Sequence, residues 1–366
     1  VLDVLAAAPG VRISNNDALS FRGGQPPLIM INGTVTHLSA QDVQTMLRDM
    51  PSDNVESIEL ISNPTSRYDA SGSGGVINII MKKGKDEGFN GQVTVGGGYG
   101  NYGKANTGLN LNYRSSDLNV FGALSLVENK SDHVINTDRK IGYTDFDTRF
   151  NTISSVKSPF YHLGADLFID SLHTIGALFS GYVNHIVFSK NNISTIASGY
   201  LPDTTLTTSS NMARTISMAN YNINYNGNIG NTPQTLSADV DYSFYKRNSD
   251  EDITSILNDR LQPANDNTQY FNNVAPIQYN IVSARIDYLK PFGKSKLETG
   301  LKASYVKSDN VQVFDNLSGT SIQTDPFFSS HFIYKEHMTS AYANFTSNTN
   351  HRLNYTGGLR IEHTIS

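Results

Sequence analysis

The chain has 366 residues, a formal net charge of -5 and no cysteine, which excludes disulfides, thiolate nucleophiles and zinc–thiolate sites. No run of ~18 apolar residues occurs, so transmembrane helices are excluded; a transmembrane β-barrel is not, because its strands alternate and keep mean hydropathy low. Charged residues make up only 17%, and polarity comes instead from Asn, Ser, Thr and Gly alongside 19 Tyr and 17 Phe, a mixture that favours strands and turns. A pI near 6.0 and the lack of a basic run argue against a nucleic-acid partner.

Residues 1–85 read as a small α+β unit. Ser39 is a candidate N-cap for the segment AQDVQTMLRDM, with Asp42 at the N3 position of a capping box. Val43, Met46, Leu47 and Met50 repeat at helical spacing, and Pro51 ends the helix. The apolar runs PLIMI (27–31), VESIELI (55–61) and VINIIM (76–81) read as buried strands. Gly33, Pro64 and the cluster Gly72-Ser73-Gly74-Gly75 punctuate them, and Gly72, Gly74 and Gly75 are expected to make a tight turn with φ > 0 at one or more positions.

From Phe89 onward the pattern is period-2 alternation. Tyr221, Ile223 and Tyr225 alternate with Asn220, Asn222, Asn224 and Asn226; Leu163, Ala165 and Leu167 alternate with His162, Gly164 and Asp166. Eleven strands are expected, at 89–99, 103–114, 117–130, 156–170, 172–189, 211–228, 234–248, 277–290, 294–309, 329–346 and 351–366. At ~11–18 residues they exceed the ~5–6 usual in globular sheets. Short turns such as RSSD (114–117) and IDSLH (169–173) alternate with long polar stretches at 131–155, 190–210, 249–276 and 310–328, read here as loops. Short turns on one side and long connections on the other are the pattern of an outer-membrane barrel. The alternation places Leu163, Leu167, Ile223 and Tyr225 toward lipid and Asp166, Asn222, Asn224 and Arg360 toward the lumen. Tyr99, Tyr113, Tyr288 and Phe292 near strand ends supply interfacial aromatics in a chain without Trp.

No catalytic constellation emerges, and no enzyme activity, cofactor or metal site is expected. His133, His331 and His337 show no ligand spacing. Residues 98–103 fit GxGxxG, but no helix follows, so a hairpin tip is the reading. The 249–276 stretch sets Asp250, Glu251, Asp252, Asp259 and Asp266 against Arg260, an acidic mouth that disfavours strongly anionic ligands.

The segment NVESIELISNPTSRYDASGSGGVINIIMKKG (54–84) resembles the end of the plug domain of TonB-dependent outer-membrane receptors. FRGG (21–24), LIMING (28–33) and LAAAPGVRI (5–13) resemble earlier plug steps in the same order, with Asn32 where the family usually has Asp. The wording is most similar to receptors of Bacteroidota.

The resemblance implies a mainly β fold: a transmembrane antiparallel β-barrel with an N-terminal α+β plug (1–84) and the first ~11 strands of a ~22-stranded barrel in 85–366. It implies a chain truncated at both ends, an outer-membrane location with lipid and lipopolysaccharide around it, and the TonB-ExbB-ExbD complex as energy-coupling partner through an upstream segment. The implied function is import of a scarce extracellular nutrient; a passive or export barrel and a secreted β-rich adhesin or carbohydrate-binding protein are the alternatives. Ligand contacts implied at the plug apices are Asn15, Asn16 and Asp17, then Thr34, Val35, Thr36 and His37. The resemblance makes Arg22 a plug arginine facing barrel carboxylates, with Glu59 a partner within the plug; the family's second plug arginine falls at Ser62 here.

Overall fold

The computed structural model describes the chain apart from residues 15–18, 22–25, 37–39, 51, 69–73, 83–86, 199–201, 231–232, 320 and 351–352. The N-terminal unit contains α1 (Leu2–Ala6), β1 (Val11–Ile13), β2 (Leu19–Phe21), β3 (Leu28–Ile31), β4 (Thr34–Val35), α2 (Ala40–Asp49), β5 (Val55–Ile61) and β6 (Val76–Met81). β1 and β2 form a hairpin, and the other strands form a sheet in the order β4-β3-β6-β5, with β3 parallel to β6. β6 lies between β3 and β5 and is apolar apart from Asn78, with Val76, Ile77 and Ile79 fully buried. The helical stripe read from the sequence is the buried one: Val43, Met46, Leu47 and Met50 all pack into the core.

Two turns explain why particular residues stand where they do. β3 and β4 are joined by Asn32 (φ 50°) and Gly33 (φ 83°), a two-residue hairpin of the primed kind that Asn-Gly favours. Asn32 Oδ1 accepts from the Met81 amide at 2.9 Å, and the Gly33 amide donates to Asn78 Oδ1 at 2.9 Å, so the turn is pinned to β6. Gly75, one of the glycines singled out, has φ 87°. A Cβ there would lie 2.8 Å from the Ile61 carbonyl oxygen and 2.9 Å from the Phe21 ring, so the position excludes side chains twice over. Gly74 is described as a turn residue, while Gly72 and Ser39 lie outside the described residues.

The rest of the chain is one antiparallel meander. Its strands are β7 (Gly88–Tyr99), β8 (Gly103–Arg114), β9 (Leu118–Ile141), β10 (Thr144–Phe168), β11 (His173–Ser198), β12 (Pro202–Asn228), β13 (Thr235–Asp259), β14 (Asn267–Val274), β15 (Ile277–Phe292), β16 (Ser295–Asn316), β17 (Gln323–Thr324), β18 (Ser330–Asn350) and β19 (Leu353–Ile365). Among the described residues they make one 13-stranded sheet, in which β14 and β15 share one stave and β17 adds to the end of β16. The eleven expected strands each have a counterpart.

The stretches read as long loops are largely strand. β9–β13 run 24–27 residues, and β11 pairs with β12 from His173↔Gly227 to Ala197↔Pro202. Of the residues 131–155, only the two-residue tip Gly142-Tyr143 is unpaired. The reason is local: these stretches are polar yet rich in Thr, Ser and Ile, which pair well across a ribbon that both faces leave in water. At ~3.3 Å per residue such strands are ~80–90 Å long, whereas ~9–11 residues cross a bilayer. More than half of each ribbon therefore stands outside the membrane.

β13 shows where the lipid band stops. Leu236, Ala238, Val240, Tyr242 and Phe244 share one face, with Val240 53% exposed. Beyond Phe244 that same face carries Lys246, Asn248, Asp250 and Asp252. The neighbouring strands match: Leu163, Leu167 and Ile223 are exposed while Asp166 is buried, and the rings of Tyr161, Phe179, Tyr221 and Tyr242 form a row across β10–β13 at 4.8–6.0 Å between centroids. Tyr161, Phe179 and Tyr221 lie beside each other because Phe179↔Tyr221 are direct partners and Tyr161 sits diagonally opposite Phe179.

Candidate functional site: the seam between the N-terminal unit and the wall

The N-terminal unit packs against the inward face of the sheet. Its core is continuous with Phe160, Tyr182, Ile216, Met218 and Tyr245 of the wall, and Ile216 is fully buried. Three polar contacts frame this apolar seam.

The first is made by α2. Tyr245 donates to Asp42 Oδ2 at 2.7 Å, and Arg247 Nη1 reaches the same oxygen at 3.4 Å. Asp42 is thus not only a helix-start acid, as read from the sequence; it is also the helix's contact with the wall. Its signal was present: Asp42, Met46 and Met50 form one i, i+4, i+8 stripe, so the acid stands on the buried face.

The second contact is Arg67. Its Nη2 pairs with Asp287 at 3.0 Å and its Nη1 with Glu298 at 3.3 Å. Asp287 is also held by Arg285 Nε at 3.2 Å and by the Tyr342 hydroxyl, and Arg285 bridges on to Asp239 at 3.1 Å. The third contact is adjacent: the Ser66 amide donates to Asn344 Oδ1 at 3.1 Å, and Arg360 Nη1 donates to the Ser66 carbonyl at 3.3 Å. Gly358 leaves room for this approach, since a Cβ there would lie 2.3 Å from Ser66 Oγ. Beside Arg67, burial pushes the Tyr68 phenol up, with the Arg67 charge opposing it, so Tyr68 stays neutral at physiological pH.

The residues singled out from the sequence are placed differently. Arg22, Asn15, Asn16, Asp17 and His37 lie outside the described residues. Thr34 belongs to β4, and the buried Thr36 spends its hydroxyl on the Ile29 carbonyl at 3.2 Å. Glu59 Oε2 accepts from Asn78 Nδ2 at 2.8 Å, a contact within the N-terminal unit. The family's second plug arginine position falls at Ser62; among the described residues, an arginine that reaches the wall stands five residues on, at 67.

Above the seam the inward faces of β11–β13 form a mixed cluster. Lys190 pairs with Glu251 at 2.9 Å, and Ser210 donates to the same carboxylate at 2.8 Å. The Arg214 guanidinium stacks over Phe188 at 5.5 Å. The acidic mouth expected at 249–276 is therefore divided: Glu251 faces inward and is paired, whereas Asp250 and Asp252 accept from Asn272 on the opposite face.

A folded α+β unit is thus pinned by charge and apolar contact inside a wall with a lipid-facing band. The family described as TonB-dependent Receptor Plug Domain matches residues 1–76, and the family described as Outer membrane protein beta-barrel family matches residues 227–366. The chain belongs to the TonB-dependent outer-membrane receptors. Its N-terminal unit is the plug, its sheet is barrel wall, and its place is the outer membrane.

The receptor is 38% identical over 96 residues to the rhizobactin receptor of Rhizobium meliloti (strain 1021), a match covering 26% of this chain and 12% of that one. It is 32% identical over 82 residues to the ferric aerobactin receptor of Klebsiella pneumoniae, covering 22% and 11%. The chain thus aligns with only about an eighth of the length of these curated relatives. Among solved structures, the ferric citrate transporter FecA in its unliganded form is 12% identical, with a TM-score of 0.48 over 98% of this chain and 60% of that one. The RagAB peptide transporter is 10% identical, with a TM-score of 0.44 over 100% and 66%.

Proposed function

We propose that this chain is the plug and part of the barrel of an active importer, which captures a scarce extracellular nutrient and admits it when the plug is displaced by force from the periplasmic side. The observation that carries the reading is the seam. A passive pore gains nothing from a separate domain held in its lumen by Asp42–Arg247 and Arg67–Asp287 pairs. Paired charges suit a removable stopper, because each partner is rehydrated when the domain moves and the net cost of parting is small. Domain limits of 1–84 for the plug and 85–366 for the wall fit this reading, since β6 ends at Met81 and β7 begins at Gly88.

The energy-coupling partner is the TonB-ExbB-ExbD complex, and the surrounding partners are lipid and lipopolysaccharide. The nutrient is a metal chelate, glycan, peptide or cofactor. Because two relatives are named for rhizobactin and ferric aerobactin, iron chelates are the first ligands to test. Arriving ligand meets the apices around Asn15, Asn16, Asp17, Thr34 and His37, with Thr36 set aside because it is buried and bonded to the Ile29 carbonyl, and then the Phe188–Arg214 wall cluster.

The test is uptake of labelled chelate by cells expressing the full-length receptor, with and without an uncoupler. Uptake should require the proton gradient. Uptake that survives the uncoupler, from a protein that conducts like a porin, identifies a passive pore and overturns the reading.

A further inference from the structure

A cavity of about 380 Å³ lies far from the Phe188–Arg214 cluster, between the plug's exit toward β7 and the first strands of the wall. Its plug side is Asn54, Glu56 and Lys82; its wall side is the inward face of β7–β10, including Asn112, Phe121 and His162. The register is fixed by direct pairing of Asn112 with Phe121 and of Ala123 with His162. Alternation confirms the direction these side chains take, because Asn112 and Phe121 are buried while their neighbours Leu111 and Val120 are exposed.

Two amides on opposite sides of this space are unusual. Asn54 is 3% exposed and Asn112 is 8% exposed. Yet Asn54 Nδ2, Asn112 Nδ2 and Asn112 Oδ1 have no hydrogen-bond partner among the described residues. Buried polar atoms are nearly always paired, and an unmade bond there is costly. Asn54 is also held firmly, since its carbonyl accepts from the Lys82 amide at 2.9 Å. Two donors and one acceptor therefore converge on one space, backed by the Phe121 ring, which lies 5.7 Å from the His162 ring.

The charges around the cavity, Glu56 and Lys82, are opposite in sign and cancel. The space accordingly selects for hydrogen-bonding capacity and not for charge. We propose that it is a binding station for a neutral, hydroxyl-rich ligand the size of one or two sugar rings. Each hydroxyl donates and accepts at a single atom, which suits an amide offering both Nδ2 and Oδ1. The ring face of Phe121 takes the C–H side of the sugar. The volume sits at the lower end of ligand pockets, which fits a small ligand. As a waypoint on the route past the plug, the station rests on the import reading; as a binding site, it does not.

The experiment uses full-length receptor in a detergent without a sugar headgroup, with maltose as the probe and saturation-transfer NMR as the readout. Saturable maltose binding is expected. Asn112→Leu and Asn54→Leu should each weaken it at least tenfold, while Ser304→Ala on a distant stave leaves it unchanged. Matching melting curves show that the variants fold, and Asn112→Asp, which keeps shape and acceptor but loses the donors, should be intermediate. Absence of saturable binding, binding indifferent to both leucine variants, or preference for triglycine over maltose overturns the proposal. None of these readouts needs a proton gradient, so maltose binding without energised uptake would sink the import reading alone.

Discussion

Arg67→Ala removes two of the ion pairs that join the plug to the wall. The Asp287 pair is 3.0 Å and the Glu298 pair 3.3 Å, with the Arg67 side chain 33% exposed and Asp287 7% exposed. A charge-assisted hydrogen bond contributes ~1.5–3 kcal/mol when well buried. Water reaches Arg67, so each bond is discounted by about half, which leaves ~1.5–3 kcal/mol for the two. Asp287 keeps Arg285 and Tyr342 after the change, so that carboxylate is not left as a bare buried charge. At ~1.4 kcal/mol per tenfold, the population with a displaced plug should rise ~10–150-fold.

Planar-bilayer recording on the full-length receptor reads this as brief openings that wild type shows rarely. Arg67→Lys keeps a charge but loses the fork, and should fall between the two. A double-mutant cycle with Glu298→Gln should give a coupling of about 1 kcal/mol. Openings of Arg67→Ala within twofold of wild type, combined with a cycle that sums to zero, would falsify the view that these pairs fix the plug's position against the wall.

Gly75→Val should destabilise the plug by about 2–3 kcal/mol, because φ 87° is unfavourable for a β-branched residue and the new side chain meets Ile61 and Phe21; thermal melting of the receptor checks it. A spin label at Leu167 should report oxygen contact and one at Asp166 water contact, and equal accessibility would refute the assignment of faces. At the tip of β13, the Asn265 amide and then the backbone amides of Gln262 and Leu261 hold the Asp259 carboxyl below the usual carboxylate range. A lowered pKa means that the tip's order is present above the unfolded-state pKa and lost as pH falls through the folded one; Asp259 carboxyl shifts and Asn265 amide exchange between pH 5 and 2 should move together.

What was legible follows from which interactions are local. The stripe Val43-Met46-Leu47-Met50, the strand VINIIM and the turn at Gly75 are set by neighbours in sequence, and each was readable. The alternation that separates Leu167 from Asp166 is likewise local. The ribbons were misjudged because their upper halves have water on both faces, which removes the apolar signal while leaving the pairing intact. The seam was harder still. Arg67 and Asp287 are 220 residues apart, and nothing near either one marks its partner. Asp42 carried a clue in its position on the buried stripe, but the capping-box reading absorbed it. Asn32, noted only as a departure from the family's usual Asp, is accounted for by the Asn-Gly turn and the Met81 amide it holds.

The seam divides two tasks between two kinds of contact. Leu47 and Ile216 are fully exempt from solvent, and burying each contributes ~1.5–3 kcal/mol, a term that tolerates sliding because it has no direction. The two Arg67 bonds together contribute no more than one such side chain, since desolvation offsets much of their attraction. The Arg67 and Asp42 contacts are directional, however, and fix where α2 and the Ser66–Arg67 turn stand against β13, β15 and β18. Apolar packing therefore holds the plug, and the ion pairs set its register. Truncating Leu47 to Ala should then loosen the plug without misplacing it, whereas Arg67→Ala should displace it along the wall with only a modest loss of stability. A hydrophobic seam alone would slide, and an ionic seam alone would not stay closed; the receptor has both, on different residues of the same domain.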